Sequence, residues 1–318
     1  MIRNIDLLRA RAEPKLLHMW GVTGVGNLED RIRLYVEGTP DIYPTHIDGV
    51  RLEVVKTGPI KALALMNVPW FTPMNPLQTS RTGRFRPAPG GCSIGHPKVS
   101  AGTLGCAIKL KGVKYVLSNN HVLAASASVQ NPRASIGDHI YQPGVYDRGT
   151  EADTIGNLVW YQPFDEKGVN VIDAALCEPA SQDLLSEEIL DVGKITGVGT
   201  AKIGDTVQKS GRTTAVTVSD VLDVNATVKV SYGIFILTMQ NQIITNYMAK
   251  GGDSGSALLD MNRNLVGLLF AGSSYVTVHN HIANILSAIV PPTPPTAPTS
   301  PYSFILPAVV GSLMGGIL

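Results

Sequence analysis

Gly251-Gly252-Asp253-Ser254-Gly255-Ser256 sets a serine between glycines directly after an aspartate, late in a chain of short β-branched runs. A reactive serine needs backbone N–H groups that converge on the oxygen of a tetrahedral intermediate, and glycine allows the strained backbone that aims them. Gly252 and Ser254 would supply those two donors. Gly, Asp and Ser are also turn residues, so the hexapeptide alone suits a tight loop equally well.

Two upstream stretches change that balance. Tyr115-Val116-Leu117-Ser118-Asn119-Asn120-His121 runs from an apolar strand pattern into polar residues and delivers an imidazole at the strand end. Asn170-Val171-Ile172-Asp173-Ala174-Ala175-Leu176 carries an acid inside an apolar run, where a carboxylate is costly unless something pairs with it. A histidine N–H is a suitable partner. The order His121, Asp173, Ser254, with gaps of 52 and 81 residues, is that of chymotrypsin-like proteases and differs from that of subtilisins and α/β-hydrolases.

With Ala101-Gly102-Thr103-Leu104-Gly105, Lys209-Ser210-Gly211-Arg212-Thr213-Thr214 and Val266-Gly267-Leu268-Leu269-Phe270-Ala271-Gly272, these blocks span roughly residues 95–290 in a fixed order. Together the chain resembles the chymotrypsin-fold (trypsin-like) serine peptidases, in particular the bacterial, disulfide-free kind with a small domain ahead of the barrel. The resemblance implies two six-stranded antiparallel β-barrels, a His121-Asp173-Ser254 triad, a Gly252/Ser254 oxyanion hole and an acyl-enzyme route that needs no metal or organic cofactor. It also places the primary specificity pocket at Met248, Phe270, Ala271 and Gly272. Met248 stands where trypsins have an acid, so an apolar preference is expected, although Lys250 nearby could attract an acidic side chain. Trypsins have a half-cystine after the active histidine where Val122 stands, and a freed N-terminal ammonium on the Asp before the serine. No Ile-Val-Gly-Gly-like start is present, which leaves the partner of Asp253 open.

Composition narrows the rest. The 318 residues are 44% hydrophobic and 16% charged, enough for one large core or two modest ones, and a net charge of +1 without a dense basic cluster gives no reason to invoke nucleic acid. The expected partner is a protein or peptide substrate. Cys92, Cys106 and Cys177 are too few and too scattered for a disulfide framework or a metal site. His279 and His281 lie two apart but lack an evident third metal ligand. The first eleven residues alternate charged and apolar types, unlike a signal peptide, which predicts a cytoplasmic chain.

Four parts are expected. Residues 1–66 read as a small α/β domain, with a helical pattern and then strand runs at Trp20 to Val25, Arg31 to Glu37 and Val50 to Thr57. Residues 67–94 read as a Pro/Gly-rich linker, in which Arg81, Arg84 and Arg86 are either solvated or part of a tether packed on the barrel. Residues 95–290 hold short strands broken by glycine, the mark of an all-β barrel or sandwich, and end in a helix near His281 to Ile289. Residues 291–318 join a polyproline spacer to the uncharged run 304–318, too short and glycine-rich for an ordinary membrane span. That run reads as a weak membrane or partner contact, as an element docked on its own protein, or as an occupant of the active-site groove. A peptide-binding scaffold and a serine esterase are the rival functions.

Overall fold

The computed structural model describes residues 5–63 and 80–289. The first part of the expected linker and the whole C-terminal tail lie outside the described residues. The chain is mainly β.

Helix α1 (Ile5–Leu17) lays Ala12 and Leu16 on strands β1 (Val22–Asn27), β2 (Ile32–Val36) and β3 (Val50–Lys56), whose Val25, Ile32, Leu34 and Leu52 complete one core. Each fully buried aliphatic side chain of this kind contributes about 1.5–3 kcal/mol. Alternation along β2 would put Tyr35 outward with Arg31 and Arg33, yet it is buried, with its hydroxyl donating to Asp223 Oδ2 at 2.7 Å. The reason is that this face packs on a second core, in which Tyr35 joins Ile60, Val228, Val230 and Phe270; β1 also pairs with a later strand, Gly24 opposite Val228 and Val25 opposite Thr227. A short strand β4 (Lys61–Ala62) follows.

Strands β5 (Cys106–Leu110), β6 (Val113–Ser118), β7 (His139–Tyr141), β8 (Thr154–Tyr161) and β9 (Ala175–Pro179) form one antiparallel sheet in the order β7-β8-β9-β6-β5. Its inner face buries Val116, Leu123, Ile140, Ile155 and Leu158. The expected strand from Val171 begins only at Ala175. Residues before it leave the ladder because side chains take over the backbone partners there: Asp173 N–H donates to Asn280 Oδ1 at 2.9 Å, and Asp173 O accepts from Asn119 Nδ2 at 2.7 Å.

Strands β10 (Thr206–Gly211), β11 (Ala215–Ser231), β12 (Ile236–Asn246), β13 (Ala257–Asp260), β14 (Asn264–Gly272) and β15 (Val276–His281) pair in a ring, closed where β11 meets β12. Helix α3 (Ile282–Ile289) follows.

Of the two readings of the arginine segment, the packed tether holds for residues 80–94. Arg81 is buried, donating to Ser210 Oγ at 2.7 Å and pairing with Asp191, and Arg86 donates to Gln142 Oε1 at 2.7 Å. Arg84 is the exposed member, 3.2 Å from Asp153. All three cysteines are free and buried, and burial pushes the Cys92 and Cys106 thiols up to about 12.

Candidate active site

Strand register brings the acid to the histidine. Ser118 pairs with Ala175 across β6 and β9, so the chain leaving β6 and the chain entering β9 run side by side. Three residues past Ser118, in helix α2 (Asn120–Leu123), stands His121; two before Ala175 stands Asp173. Asp173 Oδ2 lies 2.5 Å from His121 Nδ1, and Oδ1 accepts the His121 backbone N–H at 3.2 Å. Both side chains are buried. With the proton held on Nδ1, Nε2 carries the free lone pair, and among the described residues it has no hydrogen-bond partner.

The sequence reading missed two groups that fix this carboxylate. Asn280 holds the Asp173 backbone, and the Tyr232 hydroxyl donates to Oδ2 at 3.0 Å while its ring stands edge-on to His121, centroids 5.8 Å apart. Burial, and then the charge of Asp173, hold the Tyr232 hydroxyl well above the ordinary tyrosine range, so it stays a donor at neutral pH. No motif marks Tyr232, which reaches the site from the end of β11. Replacing it with phenylalanine should lower kcat about tenfold, the weight of one hydrogen bond to a charged group, with KM unchanged; steady-state kinetics on a peptide amide measures both.

Ser254 sits in a loop bent by two glycines in the left-handed region. Gly252 and Gly255 have φ of +95° and +94°, and a Cβ on Gly255 would lie 2.2 Å from Ser118 Oγ and 2.3 Å from Thr103 O. Thr103 clamps the loop, its N–H donating to Ser254 O at 2.7 Å and its hydroxyl to Gly252 O at 2.8 Å. The Ser254 hydroxyl donates to Phe270 O at 3.1 Å. The Gly252 N–H donates to Leu63 O at 2.7 Å, so this candidate oxyanion donor already holds a peptide carbonyl.

Over 79 residues, 25% of this chain and 43% of the relative, the sequence is 42% identical to serine protease 2 of Streptomyces fradiae. The chain is similar to the bacterial chymotrypsin-fold serine proteases. Solved structures matching it include a glutamic acid-specific serine protease (21% identity, TM-score 0.46, 63% of this chain and 96% of that one) and Thermobifida fusca protease A (20%, 0.47, 63% and 95%). No family model matches the chain.

Asp253, the acid before the serine, has a partner of its own. Lys209 Nζ lies 3.4 Å from Oδ2, both side chains are fully buried, and Lys209 also donates to Ala215 O at 3.1 Å. Oδ1 accepts the N–H groups of Thr213 (2.8 Å) and Thr214 (3.0 Å); Oδ2 accepts the Lys250 N–H (2.9 Å) and the Thr214 hydroxyl (2.6 Å). Burial holds the Lys209 ammonium below the ordinary lysine value, and Asp253 opposes that shift. The partner of Asp253 that the sequence left open is therefore the Lys-Ser-Gly-Arg-Thr-Thr block, through the Lys209 ammonium and the Thr213 and Thr214 donors.

Of the proposed pocket residues, Phe270 and Ala271 are buried in the core beside Ile60 and Phe164, and Gly272 faces Leu63. Met248 is buried among Val207, Ile243, Leu258 and Val266, held by Thr277 Oγ1 on its N–H (3.0 Å) and Thr217 Oγ1 on its carbonyl (2.8 Å).

His279 and His281 take separate partners. His281 Nε2 donates to Val224 O at 2.7 Å, and His279 Nε2 lies 3.1 Å from Thr245 Oγ1, with Nδ1 unpartnered among the described residues. Burial, helped by Lys209, pushes His279 down to about 3. A folded value below the unfolded one near 6.5 means the unfolded chain binds the extra proton first. The stability tied to a neutral His279 is complete above pH 6.5 and falls by about 1.4 kcal/mol per pH unit as pH drops from there towards 3. His279→Gln should show a shallower loss of urea midpoint between neutral pH and pH 5 than the parent chain.

Proposed function

We propose that this chain is a serine endopeptidase acting through His121, Asp173 and Ser254, and that its pocket prefers an apolar side chain. Ser254 attacks the substrate carbonyl while His121 Nε2 takes its proton, and the same nitrogen returns the proton to the leaving amine. Asp173 keeps the proton of the resting imidazole on Nδ1 and stabilises the imidazolium. The N–H groups of Gly252 and Ser254 receive the oxyanion; losing one such donor costs about 3 kcal/mol. Water then opens the acyl-enzyme.

The observation that carries the reading is the unpartnered, buried Nε2 of an Asp-bound histidine beside a glycine-framed serine loop whose Gly252 N–H already holds a peptide carbonyl. Before transfer the Ser254 hydroxyl has to turn from Phe270 O towards that nitrogen. The test is labelling with a fluorophosphonate, run on the full chain, on Ser254→Ala and on Leu63→Asp, the last to loosen the peptide now in the cleft. Label on Ser254 in the parent or in Leu63→Asp, absent from Ser254→Ala, is expected. No label in any of them would favour a peptide-binding scaffold.

A further inference from the structure

A groove of about 520 Å3 lies between helix α3 and the segment that leads into Asp173. Val129, Val169, Val171, Ile172 and Ala288 line it, and three of these are open to solvent, Val129 at 67%, Val169 at 53% and Val171 at 40%. Exposed β-branched side chains gathered on one concave surface mark a contact surface, whereas single exposed valines would not. Asp165 is the one charged residue in the lining, and its Oδ1 already accepts from Gln130 Nε2 at 2.9 Å and from the Lys167 N–H at 3.0 Å. The strand Val169–Asn170 is the outermost of its sheet, parallel to β12 with Val169 opposite Thr238, and among the described residues no further strand covers it.

Helix α3 points to the occupant. Ala288 lines the groove one residue before the helix ends at Ile289, so residues 290–318 leave the described chain at the groove's rim. None of those 29 residues is charged. We propose that Phe304-Ile305-Leu306-Pro307-Ala308-Val309-Val310 docks in this groove and covers Val129, Val169 and Val171. The run brings no charge into a lining whose single carboxylate is already hydrogen-bonded, and it supplies the apolar side chains that the valines lack as partners. A polyproline stretch rises about 3.1 Å per residue, so Pro291 to Ser303 give a reach of about 40 Å from the helix end. A tether of that length holds the run at an effective concentration of about a millimolar, so a contact too weak to capture a free peptide suffices. Docking also bears on the candidate site from behind. Ile172 precedes Asp173, Val171 O accepts from Gln242 Nε2 at 2.7 Å, and Gln242 Oε1 accepts from Asn280 Nδ2 at 2.8 Å, the same Asn280 that holds the Asp173 N–H. The docked run braces the loop on which the proposed triad acid stands.

Photo-crosslinking of the full chain carrying Val169→benzoylphenylalanine tests this, with the joined peptides read by mass spectrometry. Position 169 should join to a peptide that contains residues 304–310, and a mixture of isotopically heavy and light chains should give no mixed product. In a chain ended at Ser303 that product should vanish, and the amides of residues 165–172 should exchange with deuterium about tenfold faster while those of β14 and β15 keep their rates. Val129→Asp, at an exposed position, should speed the same amides in the full-length chain. A product joining heavy to light chains would overturn the proposal and make the groove an interface between two copies. Crosslinks only to residues outside 304–310, or equal exchange in the full and shortened chains, would overturn it too. Flotation of the full chain with phosphatidylcholine vesicles, lost in the shortened one, would assign the run to a membrane surface instead. None of these readouts needs catalysis, so the docking stands or falls apart from the protease reading.

Discussion

Substituting His121 with alanine is expected to lower kcat about a millionfold, and Asp173 with asparagine about ten-thousandfold, each with little change in KM. Alanine removes the group that moves the proton. Asparagine keeps the shape and changes the tautomer. Asp173 Oδ1 receives the His121 backbone N–H and Oδ2 faces Nδ1, so an asparagine that keeps the first contact turns its NH2 towards Nδ1. The imidazole then has to carry its proton on Nε2, where it can no longer accept one from Ser254. A peptide amide with leucine at the cut position, assayed with Leu63→Asp in the background, gives kcat and KM separately. Equal losses in the two variants would mean that Asp173 does more than orient the ring.

The second large effect is on stability. Lys209→Met leaves the Asp253 carboxylate buried with hydrogen-bond donors but no cation, and breaking a buried pair in this way costs about 3–5 kcal/mol. The loss should reach the chemistry because Asp253 lies between Gly252 and Ser254, the proposed oxyanion donors, and is held by Thr213, Thr214 and Lys250. Urea unfolding should show the destabilisation. Fluorophosphonate labelling, run well below the unfolding midpoint, should slow as well. A variant that kept its midpoint would show that the backbone donors satisfy Asp253 unaided.

What the sequence made legible follows from how local each signal is. The glycine-serine loop, the strand before His121 and the acid in an apolar run are contiguous patterns, and the register of β6 and β9 brings the last two together. The mainly β architecture was equally readable from its short β-branched runs. Tyr232 and Asn280 carry no local mark: each reaches the site across a long sequence distance, through side-chain contacts that only the fold defines. Lys209 lay in a block that could equally have been a turn, since nothing around it in sequence says that its amine is buried beside Asp253. Tyr35 departed from the alternation of its strand because the face it was to expose packs on a core assembled from distant residues, Ile60, Val228 and Phe270 among them. The leucine in the cleft was invisible for the same reason, as Lys61-Ala62-Leu63 is ordinary until it is set against Phe270 to Gly272.

The pairing of β1 with β11 also bears on how the protein behaves in company. β11 is paired with β12 along one edge, and at Thr227 and Val228 its other edge is occupied by β1. Without residues 5–63 that edge would present unmatched N–H and C=O groups beside apolar side chains, a template to which a strand from another molecule can add. The N-terminal segment is thus a built-in guard against self-association, and a barrel expressed without it would meet its own copies before it met a substrate.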